Sequence, residues 1–84
     1  MPRYFFHVEN GDLVKDEQGA DLPNLEAVRN KAAMLLGELL KNAPDMFWAD
    51  QSLRVIVTDD RQLIILTVDA VATTSPSVAR PASP

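Results

Sequence analysis

The chain has 84 residues, 46% of them apolar, and twelve acidic groups against eight basic ones leave a formal charge of −4. With no cysteine and a single histidine, it excludes a disulfide scaffold, a thiolate metal site, a cysteine nucleophile and a multi-histidine zinc site. No apolar run approaches the ~20 residues that span a bilayer, no signal-peptide pattern opens the chain, and its charge is too acidic to hold nucleic acid by bulk attraction. The expectation is one small, acidic, soluble domain of the cytoplasm, outside the membrane and without nucleic acid as partner.

Residues 3–9, RYFFHVE, have the aromatic and β-branched composition of a strand. Side chains alternate, so Tyr4, Phe6 and Val8 share one face and Arg3, Phe5, His7 and Glu9 the other. Asn10-Gly11 is a strong hairpin signal, because both residues tolerate positive φ. Leu13, Val14 and Lys15 are expected to return as a short second strand. Asp16-Glu17-Gln18-Gly19 reads as a second turn, with Gly19 in the left-handed region.

Asn24 is a good N-cap, and Glu26 suits the positive end of a helix dipole. From Asn24 a helix is predicted to about Asn42. Leu25, Val28, Ala32, Leu35, Leu36, Leu39 and Ala43 fall within one arc, and Glu26, Asn30, Lys31, Glu38, Lys41 and Asn42 lie opposite. Pro44 stops it, since the residue before a proline is pushed out of helical geometry. Residues 44–51, with Met46, Phe47 and Trp48 together, read as a loop or single helical turn. Residues 52–58 form a strand with Leu53, Val55 and Val57 on one face and Arg54, Ile56 and Thr58 on the other. Asp59-Asp60-Arg61 turns the chain. Residues 62–70 form the last strand, with Ile64, Leu66 and Val68 on one face and Leu63, Ile65, Thr67 and Asp69 on the other.

The fold class is therefore α+β, a single helix on a three- to four-stranded antiparallel sheet in the order β-β-α-β-β. Residues 1–71 make the domain. Residues 72–84, rich in Pro, Ser, Thr and Ala, cannot bury enough surface to offset their ordering entropy and are expected to be disordered.

The segments PRYFFHVENGD, DEQGADLPNLEAVRNKA and VIVTDDRQLIILTV together resemble a family of short alphaproteobacterial proteins classed as a domain of unknown function. Arg3 to His7, Asp16 to Gly19 and Leu22 to Ala32 fit its pattern in order. Such proteins usually place a glycine in the final hairpin, where this chain has Asp59 to Gln62. The resemblance implies a fold and no chemistry. A weaker resemblance, through the acidic glycine turn and the leucine-proline approach to the helix, is to HicB-type antitoxin domains. That one implies a small RNA-cleaving toxin as partner.

Few residues offer chemistry. His7 could act as a general base or an interface charge switch near pH 6.5. No hydroxyl or carboxylate has motif spacing to it, so a half-buried strand histidine bonded to a neighbour is the favoured reading. Asp12, Asp16, Glu17 and Asp21 miss the calcium-loop pattern, whose sixth position needs glycine where Glu17 stands, and read as a solvated acidic turn. Asp59-Asp60 sits at a hairpin tip with no cleft to tune either carboxyl. No metal or cofactor is expected. Met46-Phe47-Trp48 is either a lid on the core or an anchor for a partner.

One helix covers one sheet face, yet Phe5, Ile56, and Leu63 and Ile65 or their neighbours stand on the other. That leftover apolar surface predicts a non-catalytic interaction module, self-associating as a homodimer through the uncovered face. Phe5, His7, Ile56, Leu63 and Ile65 are its candidate interface residues, with Met46, Phe47 and Trp48 as the second choice. The alternatives are a HicB-like antitoxin and a small enzyme using His7.

Overall fold

The computed structural model describes residues 1–79. Its elements are β1 Arg3–Asn10, β2 Asp12–Val14, β3 Ala20–Asp21, α1 Leu25–Asn42, α2 Pro44–Asp50, β4 Ser52–Thr58, β5 Ile64–Val71 and α3 Pro76–Ala79. The sheet has five strands, all antiparallel, in the order β2-β1-β4-β5, with β3 also on β1. The expected α+β class, one main helix on an antiparallel sheet, is what the structure shows. It adds the two-residue β3 and the short helices α2 and α3.

Local chemistry explains the boundaries of α1. Asn24 accepts the Ala27 N–H at 2.8 Å through its side chain, which satisfies one free donor of the first turn. Ala43 N–H closes the other end on Leu39 O at 2.9 Å. Pro44 does stop α1, but it also starts α2, since its missing N–H is not needed at a first helical position. Phe47 is thereby turned into the core and Asn10 Nδ2 donates to Met46 O at 2.9 Å, fastening α2 to the end of β1.

The core is Phe6, Val28, Ala32, Leu36, Phe47, Leu53, Val55 and Val57. Tyr4, Val8, Leu35, Leu39, Leu66, Val68 and Ala70 pack against it. The inner faces of β1 and β4 are therefore those that alternation predicts, and so is that of β5 from Leu66 onward. Leu25 departs from the predicted helix arc and is 53% exposed, while Val28, one turn on, is fully buried.

Two findings concern the edges of the sheet. β2 and β3 are one edge strand interrupted by residues 15–19: Val8 pairs with Val14, but Tyr4 pairs with Ala20, so the second stretch has slipped by two residues. At the other side, Val57 pairs with Leu66 while Thr58 pairs with Ile64, which makes Ile65 the extra residue of a β-bulge. The hairpin between β4 and β5 closes through Asp59, whose Oδ1 accepts N–H groups of Arg61 (2.8 Å) and Leu63 (3.0 Å). Gln62 takes the left-handed φ of 68° that a glycine would adopt at lower cost.

Within the segment expected to be unstructured, Ala72 N–H donates to Gln51 O at 3.0 Å and Pro76–Ala79 form a short helix. The remainder of that expectation, residues 80–84, lies outside the described residues. Among the described residues no helix is long and apolar enough to cross a membrane.

Candidate functional site

Helices α1 and α2 both pack on the inner face, through the core residues above. The outer face carries Phe5, His7 and Glu9 from β1, Arg54, Ile56 and Thr58 from β4, and Thr67 and Asp69 from β5, as the register His7 to Ile56 to Thr67 requires. It divides into two ends. At one, Arg54 Nε binds Asp69 at 2.9 Å and Arg54 also reaches Glu9 at 3.6 Å, closing a charged cluster. At the other lies an open groove of about 530 Å³, floored by Phe5, His7, Ile56, Thr58 and Ile64 and walled by Leu13 and the 15–17 segment.

The wall exists because of Asp16. Its carboxylate accepts N–H groups from Phe6 (3.1 Å), Gln18 (3.0 Å) and Gly19 (3.1 Å), so one side chain replaces the strand partner that β1 loses where β2 and β3 part. Gly19 then folds against the Phe5 ring with φ 73°. The acidic turn is thus not merely a solvated one, as its composition suggested: Asp16 is half-buried and structural. Burial pushes the Asp16 carboxyl up, but the Gly19, Phe6 and Gln18 amides and the charge of nearby His7 together hold it below its ordinary 3.8.

A lowered carboxyl contributes stability that is complete above the unfolded value and is lost as pH falls through the folded one. Asp16→Asn should therefore destabilise the domain at neutral pH, and its deficit should narrow as pH drops below 3.8. Urea titrations of both proteins at neutral pH and at about pH 3 check this. A deficit of equal size at both would overturn it.

His7 is gripped at both nitrogens. The Asp16 N–H donates to Nδ1 at 3.0 Å, so neutral His7 carries its proton on Nε2, where it donates to Thr58 Oγ1 at 3.0 Å. This is the favoured reading of a strand histidine bonded to its neighbours. The polarity is the reverse of a hydroxyl–imidazole–carboxylate relay, in which Nε2 accepts from the hydroxyl and Nδ1–H donates. Phe5 and His7 lie parallel, ring centres 6.5 Å apart.

Of the residues predicted for the interface, Phe5, His7 and Ile56 meet in the groove. Leu63 and Ile65 do not line it. The bulge at Ile65 reverses the alternation at the start of β5, so Ile64, 65% exposed, turns to the outer face opposite Thr58. Met46 and Phe47 close the end of the core, with Phe47 buried, while Trp48 is 57% exposed and packs edge-on against Phe47 at 5.0 Å. Leu13, Asp16 and Thr58 were missed, and in β5 it is Ile64, a neighbour of Leu63 and Ile65, that takes the place in the groove. Leu13 was not legible from the Asn-Gly signal: a two-residue loop at Asn10-Gly11 would set it opposite Val8, whereas the observed register sets it opposite Glu9, on the outer face. Among the described residues no group of three or more His, Asp and Glu side chains could hold a metal ion.

These features define a small α+β domain with helices on one sheet face and an apolar groove on the other. The aspartate-to-glycine turn and the aromatic-histidine strand, separate in sequence, are two halves of one structural knot. The chain belongs to the family described as Domain of unknown function (DUF6894), whose model matches residues 3–72. No curated protein and no solved structure matches the chain.

Proposed function

We propose that this domain is a non-catalytic interaction module that associates with itself through the uncovered sheet face. The observation that carries this reading is the groove: Phe5, Ile56, Ile64 and Leu13 form an apolar surface lined by no helix among the described residues, rimmed by Lys15, Asp16, Glu17 and Asp60. A contiguous apolar patch with a polar rim is the usual mark of an association surface, and a two-fold contact covers it with one surface used twice. The engagement of both His7 nitrogens supports a binding role over proton transfer.

The antitoxin reading uses the same face. Three acidic groups on the rim against Lys15 favour a basic partner, as an RNA-cleaving toxin would be.

Light scattering at tens of micromolar separates the two. Wild type is expected to associate, and Ile56→Lys, which places a charge on the groove floor without touching the core, should lower the mass with an unchanged circular dichroism spectrum. Association untouched by Ile56→Lys would reject this face. A wild-type monomer at every concentration would reject self-association and leave the antitoxin reading, to be tested by co-purification with a toxin encoded beside it.

A further inference from the structure

Strand β5 is an open edge: among the described residues its only strand neighbour is β4. The direction of its backbone groups can be read from one bond. Ala72 N–H donates to Gln51 O at 3.0 Å, in step with the ladder that pairs Ser52 with Val71 and Val55 with Val68. Backbone groups alternate along an antiparallel strand. Ala70, Val68 and Leu66 therefore turn their N–H and C=O toward β4. Val71, Asp69 and Thr67, on the regular side of the bulge, turn theirs outward. The devices that protect natural edges are missing from IILTVDAV: it has no proline and no lysine, and its bulge lies at the end. Its one charge, Asp69, is tied to Arg54.

We propose that β5 pairs with β5 of a second copy of this chain, antiparallel about a two-fold axis at Val68, so that the two sheets run on as one. This goes beyond the outer-face reading, because it uses the edge and leaves the groove free. Facing residues must share a sheet face, so the axis passes through a residue. An axis at Asp69 opposes two carboxylates, and one at Thr67 sets Asp69 against Ile65. An axis at Val68 sets Thr67 opposite Asp69 of the second copy, hydroxyl to carboxylate. It also sets Ile65 opposite Val71, and Leu66 opposite Ala70. Shifting the axis further leaves fewer outward groups paired.

The helix beside the edge agrees. The cleft between α1 and β5 is lined by Glu26, Arg29, Asn30 and Ala33 over Leu66 and Val68. A two-fold at Val68 brings this flank against its own copy. With one acid, one base and a small residue, the flank is self-complementary.

The chain has no cysteine, so single thiols report the register cleanly. Val68→Cys places a thiol on the axis at a non-hydrogen-bonded pair, where Cα atoms lie about 4.5 Å apart, within disulfide reach. Under mild oxidation it should form a covalent dimer, and Val71→Cys, which faces Ile65 instead, should not. Thr67→Pro removes an outward N–H and no bond to β4, so it should halve the solution mass with the fold retained. Ile56→Lys should leave the Val68→Cys cross-link intact, which separates failure of the outer-face reading from failure of this one. Cross-linking of Val68→Cys no greater than that of Val71→Cys would overturn the proposal, whether or not Thr67→Pro folds. So would a folded Thr67→Pro protein of unchanged mass.

Discussion

Phe6→Ala should unfold most of the protein at ambient temperature. Phe6 is the large buried side chain of β1, paired with Val57 on β4 and covered by the Lys31 ammonium 5.5 Å above its ring. Removing a buried phenylalanine costs about 3–5 kcal/mol, transfer and cavity together. A core of this size supplies about 3–5 kcal/mol in all. The two are comparable, so little stability should remain. Loss of the cooperative urea transition followed by circular dichroism is the expected readout. A shift of less than about 1 kcal/mol, the ordinary cost of a point mutation, would reject Phe6 as the centre of the core.

Gly19→Ala should be the most damaging change outside the core. A Cβ there would sit 2.8 Å from the Tyr4 carbonyl oxygen and 2.8 Å from Phe5 Cε2, at a φ of 73°. The left-handed conformation costs a non-glycine residue about 1–2 kcal/mol, and overpacking adds about 1–3 kcal/mol. The carbonyl belongs to β1 and cannot swing away as a side-chain tip could. Gly37→Ala is the matched control. Nothing lies within 4 Å of a Cβ at that helical position, so it should stabilise by about 0.5–1 kcal/mol. Thermal melts of the two variants should move in opposite directions. Equal small shifts would show that Gly19 is not held against Phe5. Since Phe5 floors the groove, Gly19→Ala should also weaken association through the outer face.

Much of this architecture is carried by short-range pattern. Alternation in RYFFHVEN and SLRVIVT places Phe6, Val55 and Val57 inward and Phe5, His7 and Ile56 outward, and the structure keeps every one of those assignments. The 3.6-residue period of Val28, Ala32, Leu36 and Leu39, with Asn24 as cap, settles α1 to within a residue. Each feature depends on neighbours one to four positions away, where side-chain direction and hydrogen-bond reach are fixed by covalent geometry.

The errors begin where two distant segments compete for the same partner. Alternation assigned Leu63 and Ile65 to the outer face. The chain instead spends one residue in a bulge to reach the Asp59 turn, and Ile64 takes the place in the groove. DEQG read as a solvated turn because its carboxylate satisfies amides of Phe6, Gln18 and Gly19, and the first of these is ten residues away and visible only once β1 lies beside it. His7 had no hydroxyl at motif spacing, yet Thr58 stands 3.0 Å from it across fifty-one positions. The sequence by itself determined β1, β2, β4, most of β5, the long helix α1, the buried faces of β1 and β4, and the existence of uncovered apolar surface. Which residues meet on that surface, and which strand is left with unpaired backbone groups, only the tertiary structure decided. Register, bulges and sheet order are set by non-local pairing, and a shift of one residue in pairing exchanges the two faces of a strand.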